Sequence, residues 1–295
     1  MSIPFLKNDS LAPGAVEQTA PGVRRVLCNN PGPFTFRGTN SWIIGQGNSV
    51  AILDPGPLDA AHLAALLAAT KGERVTHILV SHTHRDHSPG VAALKAATGA
   101  QSYGFGPHMT PPEQGGEGGD HDFRPDVTLA DSAIVAGSDW RVTALHTPGH
   151  CANHLCFALE NASTNRTLFS ADHVMSWSTS VVSPPDGDMA AYMNSLAKIQ
   201  TRMDELYLPG HGPPLPNPLP FVTALAAHRR EREARVLEEL RRAGRARAEE
   251  LVPPVYGTAL DARLIPAAAR SLTAHLIKLA AEGAVRREAG VWVGS

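Results

Sequence analysis

Cysteine is scarce in this 295-residue chain: Cys28, Cys151 and Cys156 form neither a C-x-x-C pair nor a disulfide framework. The odd count suits a reducing compartment. Aromatic residues make up 5% of the sequence, which leaves few stacking platforms for a nucleic acid. Long apolar runs are missing too. The longest, around Ala60 to Ala69, is interrupted by His62 and is too short to span a bilayer. Met1 to Gly22 is polar and contains proline, so no secretory leader is expected. Without secretion the sequon Asn161-Ala162-Ser163 is expected to be idle. A soluble cytoplasmic enzyme is the economical expectation.

Neither sign of charge dominates, and the net charge is −2. The distribution is uneven. From Val222 onward there are 13 of the 26 basic residues and only 9 of the 28 acidic ones. The tail is therefore net positive and the rest net negative. Arg and Glu interleave in the tail, as on a solvated helix face; contact with a polyanion is the sharper alternative.

What the sequence has in abundance is metal-ligand side chains at one place. Residues 82–87 read His-Thr-His-Arg-Asp-His, directly after the apolar run Val75 to Ser81. His150 in Thr147-Pro148-Gly149-His150, Asp172, and His211 in Pro209-Gly210-His211 each stand where a strand-like run breaks at a turn. In an extended segment alternate side chains share a face, so His82 and His84 can bind one ion, completed by His150. Asp86 and His87, after the turn, address a second ion together with His211. A carboxylate can bridge two cations where an imidazole cannot, which makes Asp172 the candidate bridge. Donors of this kind without thiolate favour Zn²⁺, two per chain, with Mn²⁺ and Fe²⁺ also compatible. Open coordination positions would hold a water whose pKa falls toward about 7, a nucleophile at neutral pH, with Asp86 orienting it as a base. His154 either faces the cleft as a charge stabiliser or supports the ligands from behind.

The surrounding pattern is α/β. Two strands over residues 40–54 turn at Gly-Asn, a helix follows over 58–70, a buried strand over 75–81 and a helix over 91–98. Residues 107–125, rich in Gly, Pro and acid, form a loop that is either a flexible insertion or a lid. Strand-like segments follow within 127–146, 151–159 and 167–171, then a helix over 192–202 and a strand over 205–208. The whole predicts a four-layer αββα sandwich. The prolines from Pro213 to Pro220 predict a stiff linker. Beyond it come a charged helix over 221–243, a helix through Leu272, Leu276 and Leu279, and a hairpin over 285–293. This predicts a catalytic domain over 1–220 and a small helical, winged-helix-like domain over 221–295, which either binds nucleic acid or caps the cleft.

The ligand motifs resemble those of the metallo-β-lactamase-fold superfamily, in which an element like Asp54-Pro55-Gly56 supports the metal site from behind. Asp172 at the bridge argues against the true β-lactamases, and His84 against the flavodiiron proteins. Only 38 residues separate Asp172 from His211, too few for the inserted domain of the β-CASP nucleases. Glyoxalase II and persulfide dioxygenases remain. Ala191 to Leu196, Tyr207 to Pro213 and the Leu276-Ile277-Lys278-Leu279 tail resemble most closely the beta-lactamase-like protein 2 endoribonuclease family. Ala171 and Pro89 stand where many relatives carry glycine. The resemblance implies cleavage of single-stranded RNA at a phosphodiester as the first expectation. The alternative is hydrolysis of a small ester or thioester, of the glyoxalase II or acyl-carrier thioesterase type. A metal-binding, nucleic-acid-binding module without catalysis is the third. Trp177, Tyr192 and Trp292 are the candidate stacking platforms for RNA.

Overall fold

Alternation along the strands decides which way each residue faces. In the computed structural model, which describes residues 3–114, 118–160, 166–257 and 259–294, seven strands form the first sheet in chain order. They are β1 (Val16–Ala20), β2 (Val23–Leu27), β3 (Asn40–Ile44), β4 (Val50–Leu53), β5 (Val75–Leu79), β6 (Gln101–Gly104) and β7 (Val127–Thr128). β1 to β4 pair antiparallel and β4 to β7 parallel. The parallel steps need crossovers, and α1 (Ala60–Ala69) and α2 (Gly90–Thr98) supply the first two, on one face. Trp42, Ile44, Ala51 and Leu53 point to the second sheet, while Ile43, Val50 and Ile52 point to Leu66 and Leu94 on those helices.

The second sheet has the order β13-β12-β11-β10-β9-β8. Its strands are β8 (Ile134–Ala136), β9 (Arg141–His146), β10 (Leu155–Glu160), β11 (Thr167–Ala171), β12 (Leu206–Pro209) and β13 (Leu215–Pro216). β11 and β12 pair parallel, joined through α3 (Met189–Gln200). Leu155, Phe157, Phe169 and Leu208 meet the first sheet; Cys156, Ala158 and Leu168 meet Tyr192 and Leu196 on α3. The four αββα layers follow.

One element is new and one reading of the sequence needs correction. The hairpin β1–β2, turning at Pro21-Gly22 with Gly22 at φ 70°, lies in a segment that shows no strand pattern. The run from Pro213 to Pro220 is not an extended linker. Leu215–Pro216 pairs as an edge strand, and Pro218 opens α4 (Pro218–Ala243), where its missing N–H costs nothing. The sequon at 161–163 lies outside the described residues.

α4 belongs to two cores. Phe221, Val222, Leu225 and Ala226 pack with Leu168 and Tyr192, whereas Val236 and Leu240 pack with Leu272, Leu276 and Trp292. The second group includes α5 (Val252–Tyr256), α6 (Ile265–Ala281) and a small sheet of order β14-β16-β15, made of β14 (Arg245–Ala246), β15 (Val285–Glu288) and β16 (Val291–Gly294). Helices backed by this wing make the C-terminal unit. Among the described residues no helix is long and apolar enough to cross a membrane.

Candidate metal centre

All seven expected ligands emerge at strand ends on one edge of the sandwich. His82, His84, Asp86 and His87 follow β5; His150 lies in the turn between β9 and β10; Asp172 follows β11; His211 follows β12. The turns are built for close approach. At Gly149, φ 137°, a Cβ would meet Tyr192 Cα at 2.3 Å, so α3 packs directly on the loop that carries His150. At Gly210 a Cβ would stand 2.3 Å from Asp172 Oδ1 and 2.8 Å from His87 Cε1. Ala171 lies at φ 43°, a conformation that favours glycine.

His82 Nε2 and His150 Nε2 lie 3.0 and 2.9 Å from His84 Nδ1. Hydrogen bonding settles where the protons are. Asp54 Oδ2 accepts the Ser81 hydroxyl at 2.6 Å, so Ser81 Oγ accepts from His82 Nδ1 at 2.9 Å. His150 Nδ1 donates to the Val181 carbonyl at 2.6 Å. Both Nε2 atoms therefore turn lone pairs toward His84, which can answer only one of them with a proton. Two nitrogens about 2.05 Å from one tetrahedral ion stand about 3.3 Å apart, close to this spacing. Burial, reinforced by neighbouring His87 and His84, holds His82 well below the usual imidazole range. Burial and then His150 push His84 down to about 3. These rings are neutral donors.

The second group is electrostatically opposite. His211 Nε2 lies 3.1 Å from Asp86 Oδ2 and 3.4 Å from Asp172 Oδ2. His87 Nε2 is 3.6 Å from both Asp86 Oδ2 and Asp172 Oδ1. Burial opposes charge on these imidazoles, but the carboxylates outweigh it. His87 rises well above its ordinary value and His211 is pushed up to about 10. Asp86 and Asp172 fall below the carboxylate range because these two histidines outweigh their burial. Asp172 Oδ2 also lies 3.7 Å from His150 Nε2, so one carboxylate touches both groups. His87 Nε2 and Asp172 Oδ1 are buried with no hydrogen-bond partner among the described residues. Converging lone pairs, gathered negative charge and orphaned donor atoms all fit bound cations. His82–His84–His150, His82–His87–Asp172 and Asp86–His87–His211 each bring their donor atoms within 4.8 Å of one another.

The supports were only partly anticipated. Asp54 does back the site, but Ser81 and Asn40 carry no motif that marks them. Asn40 Nδ2 donates to the carbonyls of Pro209 and Gly212, which fixes the loop of His211, and His211 Nδ1 donates to Gly38 O at 3.1 Å. His154 does not open on the cleft: it is fully buried, with Nδ1 2.9 Å from Thr147 Oγ1. The end of the Gly-rich loop is tied down on the ligand motif, since Arg85 N donates to Gly118 O and Asp120 N to Thr83 O. Gly115 and Gly116 lie outside the described residues.

Residues 34–211 match the family model of the Metallo-beta-lactamase superfamily, and residues 248–292 match that of the Beta-lactamase associated winged helix domain. The chain is 34% identical over 279 residues to the atrochrysone carboxyl ACP thioesterase of Passalora fulva, covering 92% of this chain and 79% of that one. It is 30% identical over 289 residues to the beta-lactamase-like protein 2 homolog of Drosophila melanogaster, covering 92% of each. A beta-lactamase domain protein of Burkholderia ambifaria has the same fold, with TM-score 0.80 at 24% identity over 99% of this chain and 97% of the other.

Proposed function

The chain belongs to the metallo-beta-lactamase superfamily, and on that premise we propose that it is a dinuclear zinc hydrolase of an acyl thioester. His82, His84 and His150 would hold one ion, Asp86, His87 and His211 the other, with Asp172 shared. The observation that carries this reading is Asp172, whose two oxygens approach His150, His87 and His211 within 3.7 Å. Imidazole and carboxylate donors without a thiolate suit Zn²⁺. Bound there, the ions would supply Lewis acidity to the acyl carbonyl oxygen and to an attacking water.

The chain's own groups supply the rest. Asp86 keeps 27% of its side chain exposed, against 9% for Asp172, and so is the carboxylate placed to orient an attacking water by accepting its hydrogen bond. The water oxygen bonds to the acyl carbon, the C–S bond breaks, and the thiol leaves with one of the water's protons. Asp54, Ser81 and the Val181 carbonyl fix the tautomers that keep His82 Nε2 and His150 Nε2 free to ligate.

The sequence alone favoured RNA, and that preference gives way. A relative named as a thioesterase is 34% identical to this chain. Part of the tail's positive charge is matched internally: Arg235 and Arg242 pair with Glu239, and Lys278 with Glu233 and Glu282. Tyr192 and Trp292 are buried in cores, which leaves Trp177 alone of the three stacking candidates. We assign residues 1–220 to catalysis and 221–295 to a cap, with α4 shared between them. The deciding assay offers wild type and Asp86→Ala an acyl thioester and single-stranded RNA, with and without Zn²⁺. Zinc-dependent thioester hydrolysis that Asp86→Ala loses is the expected result; cleavage of RNA alone overturns it.

A further inference from the structure

Between the sandwich and the cap lies a cavity of about 380 Å³, a size suited to a small molecule. One wall is the segment Ser178 to Val181, whose last carbonyl holds His150. The cavity thus lies behind His150, on the Nδ1 side of its ring, and none of the seven candidate ligands lines it. Phe5, Phe34, Trp177 and Tyr256 supply flat apolar surface, and Trp177 is itself braced by Phe36, stacked at 4.9 Å. The ionisable lining is one-sided: His228, Arg229 and Arg232 line the cavity, and no carboxylate does among the described residues.

Its polar atoms are not used up by the fold. Trp177 Nε1, His228 Nδ1 and Arg229 Nε are buried with no hydrogen-bond partner among the described residues. Arg229, 5% exposed, is fixed by its bond to the Ser180 carbonyl and by the face of Tyr192. Arg232 is fixed over the Tyr256 ring at 4.0 Å, with a guanidinium nitrogen 3.5 Å from His228 Nε2. Buried donors without partners beside a cavity free of acid are costly, and an acceptor in the cavity is the group that would lower that cost.

We propose that this cavity is the acyl pocket and selects a flat aromatic acyl group whose far end is a carboxylate, read by Arg232 with Arg229 and His228. The proposal rests on the thioesterase reading. It makes the cap the specificity element: Arg229 and Arg232 come from α4, Tyr256 from α5 and Ser271 from α6. Aromatic walls take the ring by stacking, and a guanidinium takes a carboxylate by paired N–H donors.

The test compares carboxynaphthoyl and methylnaphthoyl thioesters of N-acetylcysteamine, a thiol that carries no phosphate. Wild type should prefer the carboxylated acyl group in kcat/KM, and Arg232→Gln should shrink that preference tenfold or more, with Arg232→Lys recovering part. Independently, naphthalene dicarboxylate should bind the metal-stripped full chain, quench tryptophan fluorescence, and bind at least tenfold more weakly to Arg232→Gln. Hydrolysis of both thioesters with no change in preference on Arg232→Gln overturns the pocket. So does an Arg232 effect confined to coenzyme A thioesters and equal for both acyl groups, since the arginine would then read the thiol's phosphate. Binding of the dicarboxylate that depends on Arg232, without hydrolysis of either thioester, sustains the pocket and overturns the thioesterase reading instead.

Discussion

A single oxygen of Asp54, Oδ2, accepts from His87 Nδ1 at 2.9 Å and from the Ser81 hydroxyl at 2.6 Å. His87 stands in one ligand group, and Ser81 sets the tautomer of His82 in the other. One carboxylate thus orients imidazoles of both groups. Asp54→Ala should weaken metal affinity by about 10–100-fold, as loss of an outer partner of a ligand does. Chelator titration of metal content checks this, and an unchanged midpoint would remove Asp54 from that role. Asp54→Asn should fall between, because its amide can still accept one of the bonds.

Ala171 occupies φ 43° immediately before Asp172. An L-residue pays about 1 kcal/mol or more in that region, and glycine does not. Ala171→Gly should therefore be neutral or stabilising by thermal melting, against the loss of about 0.5–1 kcal/mol usual for glycine in a strand. Ala171→Val should melt well below both. Equal losses for Gly and Val would contradict the backbone argument.

His62, 3% exposed, is lowered to about 4 by burial, against the opposing charge of Asp59, and lies 2.7 Å from Ser41 Oγ. Its folded value lies below its unfolded one, so the unfolded chain binds the extra proton between them. Stability is full above about pH 6.5 and falls as pH drops toward 4. The shift is worth about 3 kcal/mol at most. His62→Asn should flatten the dependence of Tm on pH in that window; an unchanged slope would assign it to other groups.

A chain ending at residue 217 keeps both large sheets but loses Phe221, Val222, Leu225 and Ala226 from the layer over the second sheet. Truncating one large core residue costs about 2–5 kcal/mol, and a whole domain is stable by only about 5–15. This truncation should give no cooperative melt. A native-like melt would make the catalytic unit self-sufficient.

The cluster of candidate ligands was legible because ligation needs particular side chains, and His82 to His87 crowd them into one strand end. The αββα layers were legible because strands and helices impose different periods, as in Trp42 to Ile44 and Leu63 to Leu67. The β1–β2 hairpin is hidden in the sequence because Glu17, Gln18, Arg24 and Arg25 break its apolar pattern. Arg25 is buried even so, and its charge is answered by Asp9 at 2.8 Å. The proline run misled because Pro at the first turn of a helix and Pro in an extended linker look alike in sequence. Ser81 and Asn40 act through single hydrogen bonds that no spacing announces. The acyl cavity is invisible in the sequence, since Phe34, Trp177 and Tyr256 meet only after the chain has folded.

β11 and β12 run parallel, with Ala171 opposite Pro209, so Asp172 and His211 leave the sheet side by side. The chain between them must travel back over α3 and around the turn at Met203, which is 63% exposed. Residues added at that turn would lengthen the gap between the two ligands in sequence and move neither in space. The number of residues between Asp172 and His211 is therefore free to vary, while their juxtaposition depends only on where the two strands end.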